Sequence, residues 1–134
     1  EMTFVLGARS LARLKGVHPD LIRVVKRAIT LTDTDFTILV GVRTLERQKA
    51  LVKAGASRTL NSRHLTGHAV DLGALLDGKV AWDWPLYARI AKAMKAAAKA
   101  EKVPLEWGGE VFGPKFRDGP HFQLPFASYP KPAK

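Results

Sequence analysis

The chain has 134 residues, 46% hydrophobic and 25% charged, which suits one globular domain with its own core and excludes disordered, fibrous and collagen-like classes. It has no cysteine, so disulfides and thiolate ligands are excluded, and any transition-metal site must use histidine and carboxylate. The formal charge of +10 and pI near 10.2 point to a polyanionic partner, nucleic acid or bacterial envelope, without choosing between them.

No apolar run approaches a membrane span, and no basic-then-apolar signal opens the chain. Glu1 ahead of Met2 reads as a cloning remnant. The expectation is synthesis in a cytoplasm, with release by something other than a classical signal.

Residues 3–17 hold a short element with scattered Arg and Lys. His18-Pro19-Asp20 opens a helix, because Pro suits a first turn and Asp suits the positive end of the dipole. Leu21, Val24, Val25, Ala28 and Ile29 then recur at helical spacing. Phe36 to Val42 reads as a strand rich in branched residues, with Arg43 at its end. Thr44 caps a helix to about Lys53 that stops at Gly55. Leu45, Gln48 and Val52 share one side of it, so the Gln48 amide needs a buried partner.

Residues 55–66 have no period and read as a loop delivering His64. Gly67 permits a bend, and Ala69 to Leu72 reads as a short strand. Asp77-Gly78 marks a turn. Asp83-Trp84-Pro85 starts the longest helix, to about Lys102, with a core face of Leu86, Ile90, Ala93, Met94 and Ala97. Its other edge is basic: Arg89, Lys92, Lys95, Lys99 and Lys102. That edge is either a solvated face or an electrostatic docking strip. Leu105 to Trp107 is a short strand running into a bend at Gly108-Gly109. His121 to Leu124 is the last strand. Together these make a single α+β domain, a small central antiparallel sheet flanked by about three helices. The core covers about 8–124, and the proline-rich tail 125–134 lies along the surface or is mobile.

Chemistry concentrates in Ser62-Arg63-His64-Leu65-Thr66-Gly67-His68-Ala69-Val70-Asp71. His64 and Asp71 are seven residues apart. On a helix that is roughly 10.5 Å along the axis, too far for two ligands that must each come within about 2 Å of one ion. A loop, a glycine bend and a strand would bring them together. A rival pairing, His64 with His68, has the spacing of the His-Glu-x-x-His zinc helix but carries Leu65 where that motif needs Glu. His68 is therefore read as a neighbour of the site. His121 is the best third ligand, and two His, one carboxylate and an open position describe a catalytic zinc site. Asp118, three before His121 with Gly119-Pro120 breaking the strand, can serve as the base, with Glu110 and Glu106 as fallbacks. Arg43 could steady a developing oxyanion or a substrate carboxylate.

These residues resemble the zinc peptidases that cleave peptidoglycan stem peptides. That family includes D-alanyl-D-alanine carboxypeptidases and dipeptidases, and the L-alanyl-D-glutamate endopeptidases that bacteriophages use as endolysins. Ser62, His64, Gly67, Ala69 and Asp71 match its Ser-x-His-x-x-Gly-x-Ala-x-Asp motif. Trp107-Gly108-Gly109 and Asp118-Gly119-Pro120-His121-Phe122 match its second, and Gly41-Val42-Arg43-Thr44 with Gln48 looks like its Gly-x-Arg-Thr…Gln segment. The acid at Asp118 is similar to the phage branch; Glu110-Val111 departs from the acid-Trp pair usual after the glycines.

The resemblance implies that Zn2+ is bound by His64, Asp71 and His121. It further implies that Asp118 is the base, that Arg43 polarises the scissile carbonyl, and that Ser62, Gln48, His68 and Trp107 contact substrate. It also implies an endolysin, made in the host bacterial cytoplasm and released to the cell wall, that hydrolyses the L-alanyl-D-glutamate bond of stem peptides and lyses the cell. A D-alanyl-D-alanine carboxypeptidase is the alternative within the same chemistry. A non-enzymatic basic module binding the anionic envelope or nucleic acid is the third reading. A monomer without specific nucleic-acid binding is expected.

Overall fold

The computed structural model describes residues 3–57 and 59–130. Its elements in chain order are α1 (Ala8–Arg13), α2 (Pro19–Leu31), β1 (Phe36–Val40), α3 (Leu45–Lys53), a 3-10 turn (Arg63–Thr66), β2 (Ala69–Leu76), β3 (Lys79–Ala81), α4 (Trp84–Glu101), β4 (Glu106–Trp107), α5 (Gly108–Val111) and β5 (His121–Gln123). The α+β class and the antiparallel sheet are as the sequence implied. The three long helices are α2, α3 and α4, and two short ones join them.

The strands run in the order β1-β2-β5-β4, with β3 also paired to β2. β2 is the hub and is longer than the expected Ala69–Leu72. The reason is Asp77-Gly78, where both residues adopt positive φ (52° and 79°) and fold β2 and β3 into a hairpin. Tyr87 secures that corner: its hydroxyl accepts from the Ala74 N–H (3.1 Å) and donates to the Ala81 carbonyl (2.7 Å).

Period two divides the sheet's faces. Phe36, Ile38, Val70, Leu72, Ala74 and Phe122 are buried in one core with the apolar sides of α2 and α4. The alternate residues, Asp71 and His121, lie on the opposite face. α2 starts on His18, whose Nδ1 accepts the Asp20 N–H at 3.0 Å, and buries the five apolar residues read from its spacing. α4 buries Tyr87, Ala91 and Ala98 besides the expected residues, while Leu86 is only partly buried. It ends where Lys102 turns left-handed (φ 58°) ahead of Pro104.

One expectation changes. α3 has no apolar buried face: Leu45 is half exposed, and only Gln48 is buried. The tail lies along the surface as far as residue 130. Arg63 donates to the carbonyls of Leu124 (2.9 Å) and Tyr129 (2.7 Å), and the Tyr129 hydroxyl donates to Asp20 (2.6 Å). Residues 131–134, like Glu1 and Met2, lie outside the described residues.

Candidate metal centre

The β2–β5 register sets Asp71 directly opposite His121. Opposed residues of an antiparallel pair project to the same face, so the two side chains meet although 50 residues separate them. His64 arrives from the 3-10 turn. Ser62 caps that turn, its Oγ accepting the His64 N–H at 3.2 Å. Gly67 closes it at φ 78°, and a Cβ there would lie 2.4 Å from the Gly16 carbonyl oxygen. Only glycine fits both demands.

His64 Nε2 and His121 Nδ1 each lie 3.1 Å from Asp71 Oδ1. One donor atom from each residue falls within 4.8 Å of the others, a spacing that one metal ion could bridge. The far ring nitrogens fix both imidazoles. His64 Nδ1 donates to the Gly41 carbonyl at 2.9 Å, which points Nε2 at Asp71. His121 Nε2 donates to Gln123 Oε1 at 2.8 Å, and the Gln123 amide donates on to Glu106 at 2.9 Å. Outer hydrogen bonds of this kind orient metal-binding histidines. Two oriented imidazoles and a carboxylate, with no thiolate, form a donor set suited to zinc.

The charges are strongly coupled. Burial opposes the Asp71 charge, but hydrogen bonds from His121 and His64 outweigh it and hold the carboxyl well below the usual range. Burial likewise opposes a charged His121, yet Asp71 raises its pKa overall. The Asp118 residue is exposed as a whole, but its carboxyl is desolvated in the cleft wall. That desolvation, with the nearby Asp71 charge, pushes its pKa up against the pull of His121, His64 and Arg43.

Arg43, Ser62, His64, Asp71, Asp118 and His121 all line one cleft of about 880 Å³. Arg43 Nη2 stands 3.6 Å from Asp71 Oδ2, and its Nη1 donates to Gln48 Oε1 at 2.8 Å. The Asp118 loop is drawn against the sheet edge by Gly108, where a Cβ would sit 2.5 Å from the Asp118 carbonyl oxygen.

Three expected substrate contacts do not line this cleft. Gln48 is fully buried, and its amide is committed to Arg43, to Ser57 (2.8 Å) and to the Thr59 carbonyl (2.6 Å). His68 turns away from the metal face and packs with His18 and Tyr129. Trp107 is buried between Trp84 and Phe122, its Nε1 donating to the Gly119 carbonyl at 2.8 Å. The fallback bases are also elsewhere: Glu110 pairs with Lys95 at 2.6 Å, and Glu106 receives Gln123.

Sequence reasoning missed Gln123, whose position two after His121 on a strand should have placed it on the ligand face. It also missed the walls built by Phe112, Phe116 and Phe126, which carry no spacing signal.

The fold is that of a peptidoglycan-peptidase class, and the chain belongs to the phage L-alanyl-D-glutamate peptidase family, which it matches over residues 2–124. It is 33% identical over 113 residues to the L-alanyl-D-glutamate peptidase of Escherichia phage T5, covering 81% of this chain and 82% of that one. It is 34% identical over 131 residues to the L-alanyl-D-glutamate peptidase of Listeria phage A118, covering 96% of this chain but only 45% of the longer relative. Among solved structures, the Serratia marcescens L-Ala D-Glu endopeptidase ChiX superposes with a TM-score of 0.88 at 48% identity, covering 95% of both chains.

Proposed function

We propose that this protein is a zinc-dependent endopeptidase that hydrolyses the L-alanyl-D-glutamate bond of peptidoglycan stem peptides, and that it serves as a phage lysis enzyme at the cell wall. The observation that carries this reading is the convergence of His64 Nε2 and His121 Nδ1 on one oxygen of Asp71. It occurs in a cleft that also holds Asp118 and Arg43, and the chain's relatives bear that activity in their names.

His64, Asp71 and His121 would hold the zinc, which when bound would supply a Lewis acid and lower the pKa of a water. The Asp118 carboxylate, on the wall of the same cleft, is placed to take up a proton and return it to the departing amine nitrogen. Its upward-shifted pKa suits a group that must both accept and release a proton. Arg43, held from behind by Gln48, aims its guanidinium into the cleft, where it steadies negative charge growing on the scissile carbonyl oxygen. Ser62 touches the substrate backbone at the cleft wall. Gln48 acts through Arg43 as a positioning residue. The chain is read as a monomer, and its +10 charge favours residence on the anionic envelope.

The test is digestion of purified peptidoglycan by the zinc-loaded protein, with labelling of new amino termini. New D-glutamate termini are expected. Released free D-alanine would instead support the carboxypeptidase alternative, and the absence of either product would remove both peptidase readings in favour of a binding module.

A further inference from the structure

The outer face of α4 carries Arg89, Lys92, Lys95 and Lys99, with Lys102 at its cap, and all five are exposed. The residues exposed beside them, Ala88, Ala96 and Ala100, are small and neutral. No acid occurs in α4 before Glu101, and that carboxylate is taken by Arg23 and Arg27 of α2. Lys95 meets Glu110. Among the described residues Arg89, Lys92, Lys99 and Lys102 make no ion pair.

Lys92, Lys95, Lys99 and Lys102 recur at steps of three, four and three, so they form one stripe of roughly 15 Å along the helix. Like charges at those spacings destabilise a helix. A solvated helix face laced with salt bridges alternates signs, and this one does not. The stripe also faces away from the cleft, because α4 packs its other side on the sheet face opposite the metal ligands.

We propose that the α4 stripe is a second wall-binding surface. It grips the carboxylates of neighbouring, uncut stem peptides while the cleft works on another. The partner follows from what the stripe lacks. It has no aromatic or large apolar side chain for membrane insertion and none on which bases could stack. What it offers is a row of hydrated point charges, which matches flexible carboxylates spaced along a polymer. Two contacts on opposite faces raise residence on the polymer without any contact to the reacting bond, and they make retention sensitive to salt. This inference rests on the peptidase reading.

The experiment uses zinc-loaded protein and sacculi stripped of lipid and of phosphate polymers, at about 150 mM salt. Binding is measured in an Asp118→Asn background so that the sacculi survive. Arg89→Ala/Lys92→Ala/Lys99→Ala is compared with a control of equal charge loss, Arg9→Ala/Lys15→Ala/Lys79→Ala. Cleavage of a soluble muropeptide is measured in the Asp118 background. The stripe variant is expected to bind sacculi roughly tenfold more weakly or worse, while the control binds normally and all three cleave the soluble muropeptide alike. Equal weakening by the control would reduce the effect to net charge and overturn the proposal. So would wild-type binding that appears only when phosphate polymer, anionic vesicles or DNA is present. Failure of the parent protein to cleave the soluble muropeptide overturns the peptidase reading instead, a result separate from the binding measurement.

Discussion

Gln48 shows how a buried polar side chain can govern a site it does not touch. Its carbonyl oxygen takes Arg43 while its amide nitrogen spans Ser57 and the Thr59 carbonyl. Gln48→Ala leaves those partners without their bonds, so a loss of about 1–3 kcal/mol in stability is expected. Activity should fall as well with zinc content unchanged, since Arg43 loses its brace. Gln48→Glu keeps the acceptor for Arg43 and should restore part of kcat; an unchanged kcat in both variants would remove Gln48 from the mechanism. At this scale the sequence was informative about the need and silent about the answer. Helical spacing put Gln48 on the buried side, but the two partners of its amide nitrogen come from a loop with no period. Trp107 misled for a related reason. Its motif placed it beside the site, whereas its indole N–H is spent on the Gly119 carbonyl just after Asp118. Trp107→Phe keeps a ring between Trp84 and Phe122 but loses that bond and part of the packing. The expected result is roughly 2–3 kcal/mol less stability and a larger loss of activity than of bound zinc.

Among the elements, the short turn between His64 and β2 is the least replaceable. Gly67 combines positive φ with a close approach to the Gly16 carbonyl. Gly67→Ala adds backbone strain of order 1–3 kcal/mol and a clash with that carbonyl. Thermal unfolding should show a clear drop in Tm, with weakened zinc binding because His64 is displaced. A variant with wild-type Tm and zinc affinity would contradict this. The bend itself was legible, because a glycine stood between two ligands that a helix could not bring together. The pairing of β2 with β5 was not legible from periodicity, since it joins short strands 50 residues apart at the ligands, and such register depends on the whole core. β2 was also read too short. Asp77-Gly78 was seen as a turn, but the following Lys79–Ala81 is mostly exposed and lacks a strand's apolar alternation.

Across the whole molecule, two layers divide the labour. The helices α2 and α4 cover one sheet face, and the other face carries Asp71 and His121. Glu101 ties the helices together through Arg27 and Arg23. Hydrogen bonding from Arg27, then the charge of both arginines, holds its carboxyl below the ordinary 4.5. An acid depressed on folding stabilises the native state above its ordinary value and loses that contribution as pH falls through the folded value. The Tm advantage of wild type over Glu101→Gln should therefore be largest near neutrality and shrink between about pH 5 and pH 3; an advantage that persists in acid would mean the pairs are not what joins the helices. The claim on which the molecule's chemistry depends is the three-residue zinc site. Native mass spectrometry of wild type, Asp118→Asn, His64→Ala and His121→Ala after zinc loading addresses it most directly. One zinc per chain is expected in the first two and none retained in the histidine variants. Full zinc occupancy in His121→Ala, or an empty wild type, would contradict it.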